Sequence, residues 1–214
     1  MDTSELIMRM ADDNSLVIFY QSDKRIEGRW LDKSFLLNTA AERAGTSLLW
    51  HKIVCIAKPG TPSHGRPAYT HMMCFSRHLR DTESFAQPDV LANRGDMPWA
   101  RAMGSTACEL ACTYITKLAD WNMKAKETTD AEENLGLGSV SGFNPERKAK
   151  GTILDPFCGL GNALCVANRM GFNAIGVERN KKRAKFAALQ LLDPAAGHKW
   201  LRGNRVQLDT DNSR

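Results

Sequence analysis

The chain has 214 residues, with 29 basic and 24 acidic side chains for a net charge of +5, 43% hydrophobic and 25% charged residues. This is the size of one domain, or one domain with an appendage. The apolar content excludes a disordered chain, and 16 glycines with 8 prolines exclude collagen-like and low-complexity classes. The mild basic surplus suits a polyanionic partner without requiring one. No run approaches the ~18 apolar residues of a membrane span. Asp2, Glu5, Arg9, Asp12 and Asp13 occupy the stretch where a secretory signal would be apolar. These features imply no membrane association and a cytoplasmic location, or a nuclear one in a eukaryote. Cys55, Cys74, Cys108, Cys112, Cys158 and Cys165 form no C-x-x-C pair. Cys108 and Cys112 lie four apart on a predicted helix and are expected as small buried hydrophobes rather than metal ligands.

In chain order, the residues before Leu16 fit the end of a helix, and Ser15 to Tyr20 read as a buried strand after the polar turn Asp12-Asp13-Asn14. Leu36, Leu37, Ala40, Ala41 and Ala44 recur at helical spacing before Gly45, predicting an amphipathic helix over Asp32 to Ala44 with a glycine C-terminal cap. Ser47 to Ile56 and Tyr69 to Ser76 read as two strands of a hairpin joined by a long turn-rich loop. Gln87 to Arg101 is expected to be irregular. Thr106 to Glu109 has the pattern of a capping box, opening a helix with Leu110, Ala111, Tyr114, Ile115 and Leu118 on its apolar face. Lys124 to Lys150, polar and glycine-containing without periodicity, is expected as a surface loop.

The densest signal follows that loop. Thr152 to Leu154 is a short apolar strand, Asp155 to Gly161 a glycine-rich turn, Asn162 to Met170 a helix closed by Gly171, and Ala174 to Val177 a second strand ending at Glu178. A further helix, capped by Asn180, buries Ala184, Ala187, Ala188, Leu191 and Leu192 and stops at Asp193-Pro194. This is a β-α-β-α unit, right-handed by the usual rule. Beyond it, Arg205 to Leu208 reads as one more short strand in a polar tail. The turn forms a cradle in which backbone N–H groups and a helix N-terminus face a ligand, and glycine permits close approach. Glu178 follows Asp155 by 23 residues, close to the offset of roughly 20 that sets a carboxylate beside ribose hydroxyls. Leu164 stands where a dinucleotide fingerprint requires a third glycine, and no P-loop Gly-Lys-Ser/Thr is present.

The segment Ile153-Leu154-Asp155-Pro156-Phe157-Cys158-Gly159-Leu160-Gly161-Asn162-Ala163-Leu164 resembles the S-adenosylmethionine motif of the N6-adenine and N4-cytosine DNA methyltransferases, and Ala174 to Glu178 resembles that family's I-G-I/V-E. Looser matches are Leu48 to Lys52 with its W-x-K strand and Arg66 to Ser76 with its R-P-x-x-x-H…F-S strand. The order resembles that of permuted members, catalytic half first and cofactor half last. The resemblance implies an α/β, Rossmann-like methyltransferase sheet with helices on both faces, circularly permuted. It divides one structural domain into a substrate-side half with a cofactor-closing helix (1–120), a polar loop (121–150), a cofactor half (151–192) and a tail (193–214). It implies S-adenosylmethionine as cofactor, with Asp155, Pro156, Phe157, Cys158, Gly159, Gly161 and Asn162 around the methionine end and Glu178 on the ribose. Arg101, Ala102, Met103 and Gly104 are further candidate contacts, Met103 foremost. Asn162 stands where the family usually has threonine. The implied activity is methyl transfer to an amine of a nucleic-acid base, in DNA or RNA.

That chemistry depends in the family on a [D/N/S]-P-P-[Y/F/W] loop, and no Pro-Pro pair occurs in the sequence. The expected sheet is therefore short of its central catalytic strand. Three readings follow: a sequence that starts late, catalytic elements supplied by another chain of a homo- or hetero-oligomer, or a non-catalytic cofactor-binding subunit or remnant that works through a partner. Catalytic residues are left unassigned. Asp23 and Lys24 at the first strand's exit, His51, His64 and His71, and Trp30, Trp50 and Trp99 are the remaining candidates for chemistry, and polar-exit, structural and core roles respectively are favoured for them.

Overall fold

The computed structural model describes residues 2–81, 87–97, 102–118 and 150–192. The chain divides into two compact units, one of Met1–Gly95 with Glu109–Glu146, the other of Asp96–Cys108 with Arg147–Arg214.

The first unit begins with α1 (Thr3–Met10), whose open N-terminus is satisfied by the Asp2 side chain accepting from the Glu5 N–H at 2.8 Å. Then come β1 (Val17–Gln21), the short strands β2 (Lys24–Ile26) and β3 (Arg29–Leu31), and α2 (Lys33–Ala44). The two-residue turn between β2 and β3 needs positive φ at both positions. Glu27 supplies it at 50° and Gly28 at 81°, the pattern of a tight hairpin turn. Asp32 caps α2 by accepting from the Phe35 N–H at 3.0 Å, and Gly45 ends it in the left-handed conformation at φ 68°. β4 (Ser47–Cys55) and β5 (Tyr69–Ser76) are antiparallel, and β6 (Val90–Leu91) runs parallel to β4.

The main sheet is mixed, in the order β1-β5-β4-β6, with β5 antiparallel to both of its neighbours. Alternation along β5 sends its side chains to both faces, and both are covered. Met73 and Phe75 pack with Met8 of α1, Val17 of β1 and Leu37, Ala41 and Ala44 of α2. On the opposite face Cys74 packs with Tyr114 and Leu118, from the helix over residues 105–118, which we label α3. Trp50 meets Tyr114 edge-on at 5.3 Å between ring centroids.

The second unit holds β7 (Thr152–Asp155), α4 (Asn162–Arg169), β8 (Asn173–Gly176) and α5 (Lys181–Leu192). β7 and β8 are parallel and in register from Thr152 opposite Asn173 to Asp155 opposite Gly176, with α4 as the crossover.

Several sequence expectations need correction. The β2–β3 hairpin and β6 add to the expected strands, and the strands fall into three hydrogen-bonded sets, β1-β5-β4-β6, β2-β3 and β7-β8. Trp30, expected in a core, is 54% exposed on the hairpin. The Thr106 to Glu109 box lies inside the helix, because helical bonding starts earlier, with the Cys108 N–H donating to the Gly104 carbonyl at 3.0 Å. Ala188 is exposed, since the inward face of α5 is carried by Ala187 and Gln190. Cys108 and Cys112 are buried, as expected of small hydrophobes. The loop before Lys150, the stop at Asp193-Pro194, the strand at Arg205 to Leu208, Trp99 and Arg101 lie outside the described residues. Among the described residues no helix is long and apolar enough to cross a membrane.

Candidate cofactor site

The second unit places the glycine turn at the C-terminal end of β7, where open α/β sheets present ligands. Asp155 closes the strand, and its carboxylate accepts the Phe157 N–H at 2.9 Å, which bends the chain back at once. The turn is then pinned to the neighbouring strand's exit, with the Cys158 N–H donating to the Val177 carbonyl at 3.1 Å and the Val177 N–H to the Asp155 carbonyl at 2.9 Å. The Gly161 N–H donates to the Cys158 carbonyl at 2.8 Å, and the Gly161 carbonyl accepts the first helical bond of α4 from Cys165 at 2.8 Å.

The glycines serve different physical ends. Gly159 (φ 57°) and Gly161 (φ 78°) both hold the left-handed conformation that favours glycine. A Cβ on Gly161 would lie 2.8 Å from Ala187 Cβ, so the turn is seated directly on α5. A Cβ on Gly176 would collide with Leu164 Cδ1 and lie 2.7 Å from Cys158 Sγ, so β8 closes against the turn and α4. A Cβ on Gly159 would meet nothing among the described residues within 4 Å. Two of these glycines permit packing, and the third keeps backbone bare toward open space.

Glu178 follows β8, half-buried, with one carboxylate oxygen accepting the Asn180 N–H at 2.7 Å. Asn180 in turn caps α5 by accepting the Arg183 N–H at 3.1 Å. Asn162, buried at the start of α4, donates from its side-chain amide to the Met103 carbonyl, which brings Met103 to the same turn. Pro156 and Cys158 are half-buried there, and Phe157 is 68% exposed. Burial holds the Asp155 carboxyl above its usual range, an effect partly offset by the Phe157 N–H. Burial, followed by the charges of Asp155 and Glu178, likewise pushes the Cys158 thiol up. All the sequence-derived site residues, Asp155 to Asn162, Glu178 and Met103, thus fall within one unit.

The first unit brings together three residues that stand far apart in the sequence. Asp23 Oδ1 lies 3.1 Å from His71 Nε2, and His51 Nε2 lies 2.8 Å from His71 Nδ1. No spacing could signal this, because strand register alone sets it, with Gln21 of β1 and Ile53 of β4 both opposite His71. His64 is exposed in the loop between β4 and β5.

No protein-family model and no curated protein matches the sequence. Solved structures do match the fold. TTHA0409 of Thermus thermophilus, a candidate DNA modification methylase, superposes in its complex with S-adenosyl-L-methionine at a TM-score of 0.54 and 16% identity, over 91% of this chain and 76% of that one. A selenomethionine form of the same protein gives 0.53 and 16%, over 88% and 74%. M1.HpyAVI, also complexed with S-adenosylmethionine, gives 0.51 and 10%, over 88% and 81%. At these identities the fold is what is shared. It is a mixed α/β fold of the kind these methylases have.

Proposed function

We propose that the second unit binds S-adenosylmethionine, and that the chain serves methyl transfer to an amine of a nucleic-acid base. The observation that carries this reading is the bare Gly159 backbone beside Asp155, with Glu178 at the exit of the adjacent parallel strand. That is the pairing of a close-approach turn with a ribose acceptor. The turn and the order of chemical groups fit the cofactor. Gly159 and the Asp155–Phe157 bend would face the methionine end, with Pro156, Cys158 and Gly161 shaping the turn. Asn162 would hold the Met103 segment over it. The second oxygen of Glu178 would accept from the ribose hydroxyls.

The bound cofactor would supply an electrophilic methyl group. Methyl transfer would join that carbon to the amine nitrogen at the expense of its bond to sulfur, with the amine's proton and S-adenosylhomocysteine as the other products. Such a step depends on alignment and exclusion of water more than on a strong base. In this reading 151–192 is the cofactor half and 1–120 the substrate half, in permuted order, with DNA or RNA as the substrate class. The missing Pro-Pro pair favours a second reading on the same site, a cofactor-binding subunit whose catalytic elements come from a partner chain.

Calorimetric titration with S-adenosylmethionine and S-adenosylhomocysteine tests the site. Saturable binding that Glu178→Ala weakens at least tenfold, about 1.4 kcal/mol, supports it. No heat, or an unchanged affinity in Glu178→Ala, removes the cofactor reading. If the chain binds but moves no labelled methyl group to DNA or RNA, the subunit reading holds.

A further inference from the structure

Outside the glycine turn, the first unit gathers a second set of chemical groups that the proposed methyl transfer does not use. Asp23 follows the end of β1, Asp32 caps α2, and His71 stands near the start of β5. One ligand atom from each lies within 4.8 Å of the others, the only such group of three among the described residues. Asp23 and His71 are largely buried, with side chains 11% and 7% exposed, while Asp32 is exposed and leaves a route from solvent.

The surroundings pre-set each donor. The Asp23 carboxylate accepts the Lys33 backbone N–H at 2.9 Å, and Asp32 is held by Ser34 Oγ at 2.7 Å and the Phe35 N–H at 3.0 Å. His71 is fixed through its far nitrogen, since Nδ1 lies 2.8 Å from His51 Nε2. A histidine that binds a metal through one ring nitrogen is commonly oriented by a hydrogen bond at the other, which sets the tautomer. Among the described residues no lysine or arginine forms an ion pair with either carboxylate, so two negative groups converge on one imidazole without a cationic side chain between them. The Lys33 ammonium is turned instead to Gln21 Oε1, at 3.0 Å.

We propose that Asp23, Asp32 and His71 form a binding site for one divalent transition-metal ion of the Zn2+ class, with His51 as the positioning residue behind His71. One imidazole with two carboxylates is a borderline donor set that suits such ions better than Mg2+, which prefers oxygen alone. Metal–ligand bonds of roughly 2.0–2.2 Å at tetrahedral angles set two ligand atoms on one ion about 3.3–3.6 Å apart. Asp23 Oδ1 and His71 Nε2, 3.1 Å apart, already stand at about that spacing, and the group, within 4.8 Å, needs a closure of at most about 1.5 Å, which a rotation of the exposed Asp32 side chain can supply. The ion would take the place of the proton that His71 Nε2 shares with Asp23. It would tie the exit of β1, the cap of α2 and the start of β5 together. Each of its residues lies in the first unit.

The test uses the tag-free full chain, stripped with a chelator and titrated with Co2+ while visible absorption is followed, then back-titrated with Zn2+. The expected result is one ion per chain, a ligand-field band without thiolate charge transfer, and displacement of Co2+ by Zn2+. Two variants keep the local hydrogen bonds while removing a carboxylate. Asp32→Asn preserves the cap acceptor on α2, and Asp23→Asn preserves the acceptor for the Lys33 N–H. Each should weaken binding at least tenfold with an unchanged circular dichroism spectrum, and His51→Gln should weaken it about 10- to 100-fold. Absence of saturable binding, equal affinity in the two asparagine variants and the parent, or a thiolate band that assigns the ion to cysteine would each overturn the proposal.

Discussion

Gly159→Ala and Gly161→Ala alter the same turn by one methyl group each, yet the surroundings of the two positions predict different losses. Both residues have positive φ, 57° and 78°, so both substitutions force an L-residue into the left-handed region at about 1–2 kcal/mol. At Gly161 the added Cβ also lies 2.8 Å from Ala187 Cβ and 3.1 Å from Ala187 Cα. Overpacking of this kind costs about 1–3 kcal/mol, which brings Gly161→Ala to about 2–5 kcal/mol. At Gly159 no described residue lies within 4 Å of the added Cβ, and strain is the cost. Urea unfolding followed by circular dichroism should therefore show a much lower midpoint for Gly161→Ala than for Gly159→Ala, at similar slope. If the turn binds the cofactor as proposed, calorimetry on the folded Gly159→Ala variant should show S-adenosylmethionine affinity down at least tenfold, because the new methyl would stand where the methionine end is placed. Adding Ala187→Gly to Gly161→Ala should recover part of the clash, seen as a favourable coupling in a double-mutant cycle. Equal destabilisation by the two alanines, or wild-type affinity in Gly159→Ala, would refute the division of roles.

Three further outcomes follow from neighbouring geometry. Asp155 has its carboxyl raised by burial, so its neutral form is favoured by the fold; the stability this contributes is present below the unfolded value near 3.8 and is lost as pH rises through the raised value. Asp155→Asn keeps the acceptor for Phe157, and should be more stable than the parent at neutral pH by an amount that shrinks as the pH falls through the raised value and levels off below about 4, read as urea midpoints across pH. Asn180→Ala removes the cap acceptor for Arg183 and should cost about 1 kcal/mol in the same unfolding assay. Lys52, buried at 5% relative exposure, donates to the Pro88 carbonyl at 3.2 Å and the Asp89 carboxylate at 3.3 Å. Lys52→Met removes both bonds, and because Pro88 and Asp89 are exposed to water it should cost about 0.5–1.5 kcal/mol and speed amide exchange at Ile53, whose N–H donates to the Asp89 backbone carbonyl.

Local signals in the sequence carried the helices and the glycine turn well. Asp32 and Gly45 punctuate α2 as expected because capping is decided within a few residues, and Asn180 caps α5 for the same reason. The strands from Ser47 and Tyr69 were legible as apolar runs, and they end within one residue of their observed limits. The β2–β3 hairpin was not, since Lys24 to Leu31 is exposed on every residue and so shows no burial alternation to read. Trp30 was misplaced for a related reason, because aromatic content alone does not say whether its strand has a core to face. The Asp23, His71 and His51 arrangement depends on which strands pair and in what register, and no motif spans residues 20 and 48 apart.

The central strand also sets how the protein should age under oxidants. Met72, Met73 and Cys74 are consecutive on β5 with no exposure to solvent, whereas Met10 at the end of α1 is 75% exposed. Peroxide can reach Met10 in the folded state, but it can reach the sulfurs of β5 only when the sheet opens. The oxygen that forms a sulfoxide there makes an apolar side chain polar inside a filled interior, which hinders the sheet from closing again. Damage at Met72 and Met73 would thus be rare and self-perpetuating. The ratio of their oxidation to that of Met10 would record how often a given molecule has unfolded over its lifetime.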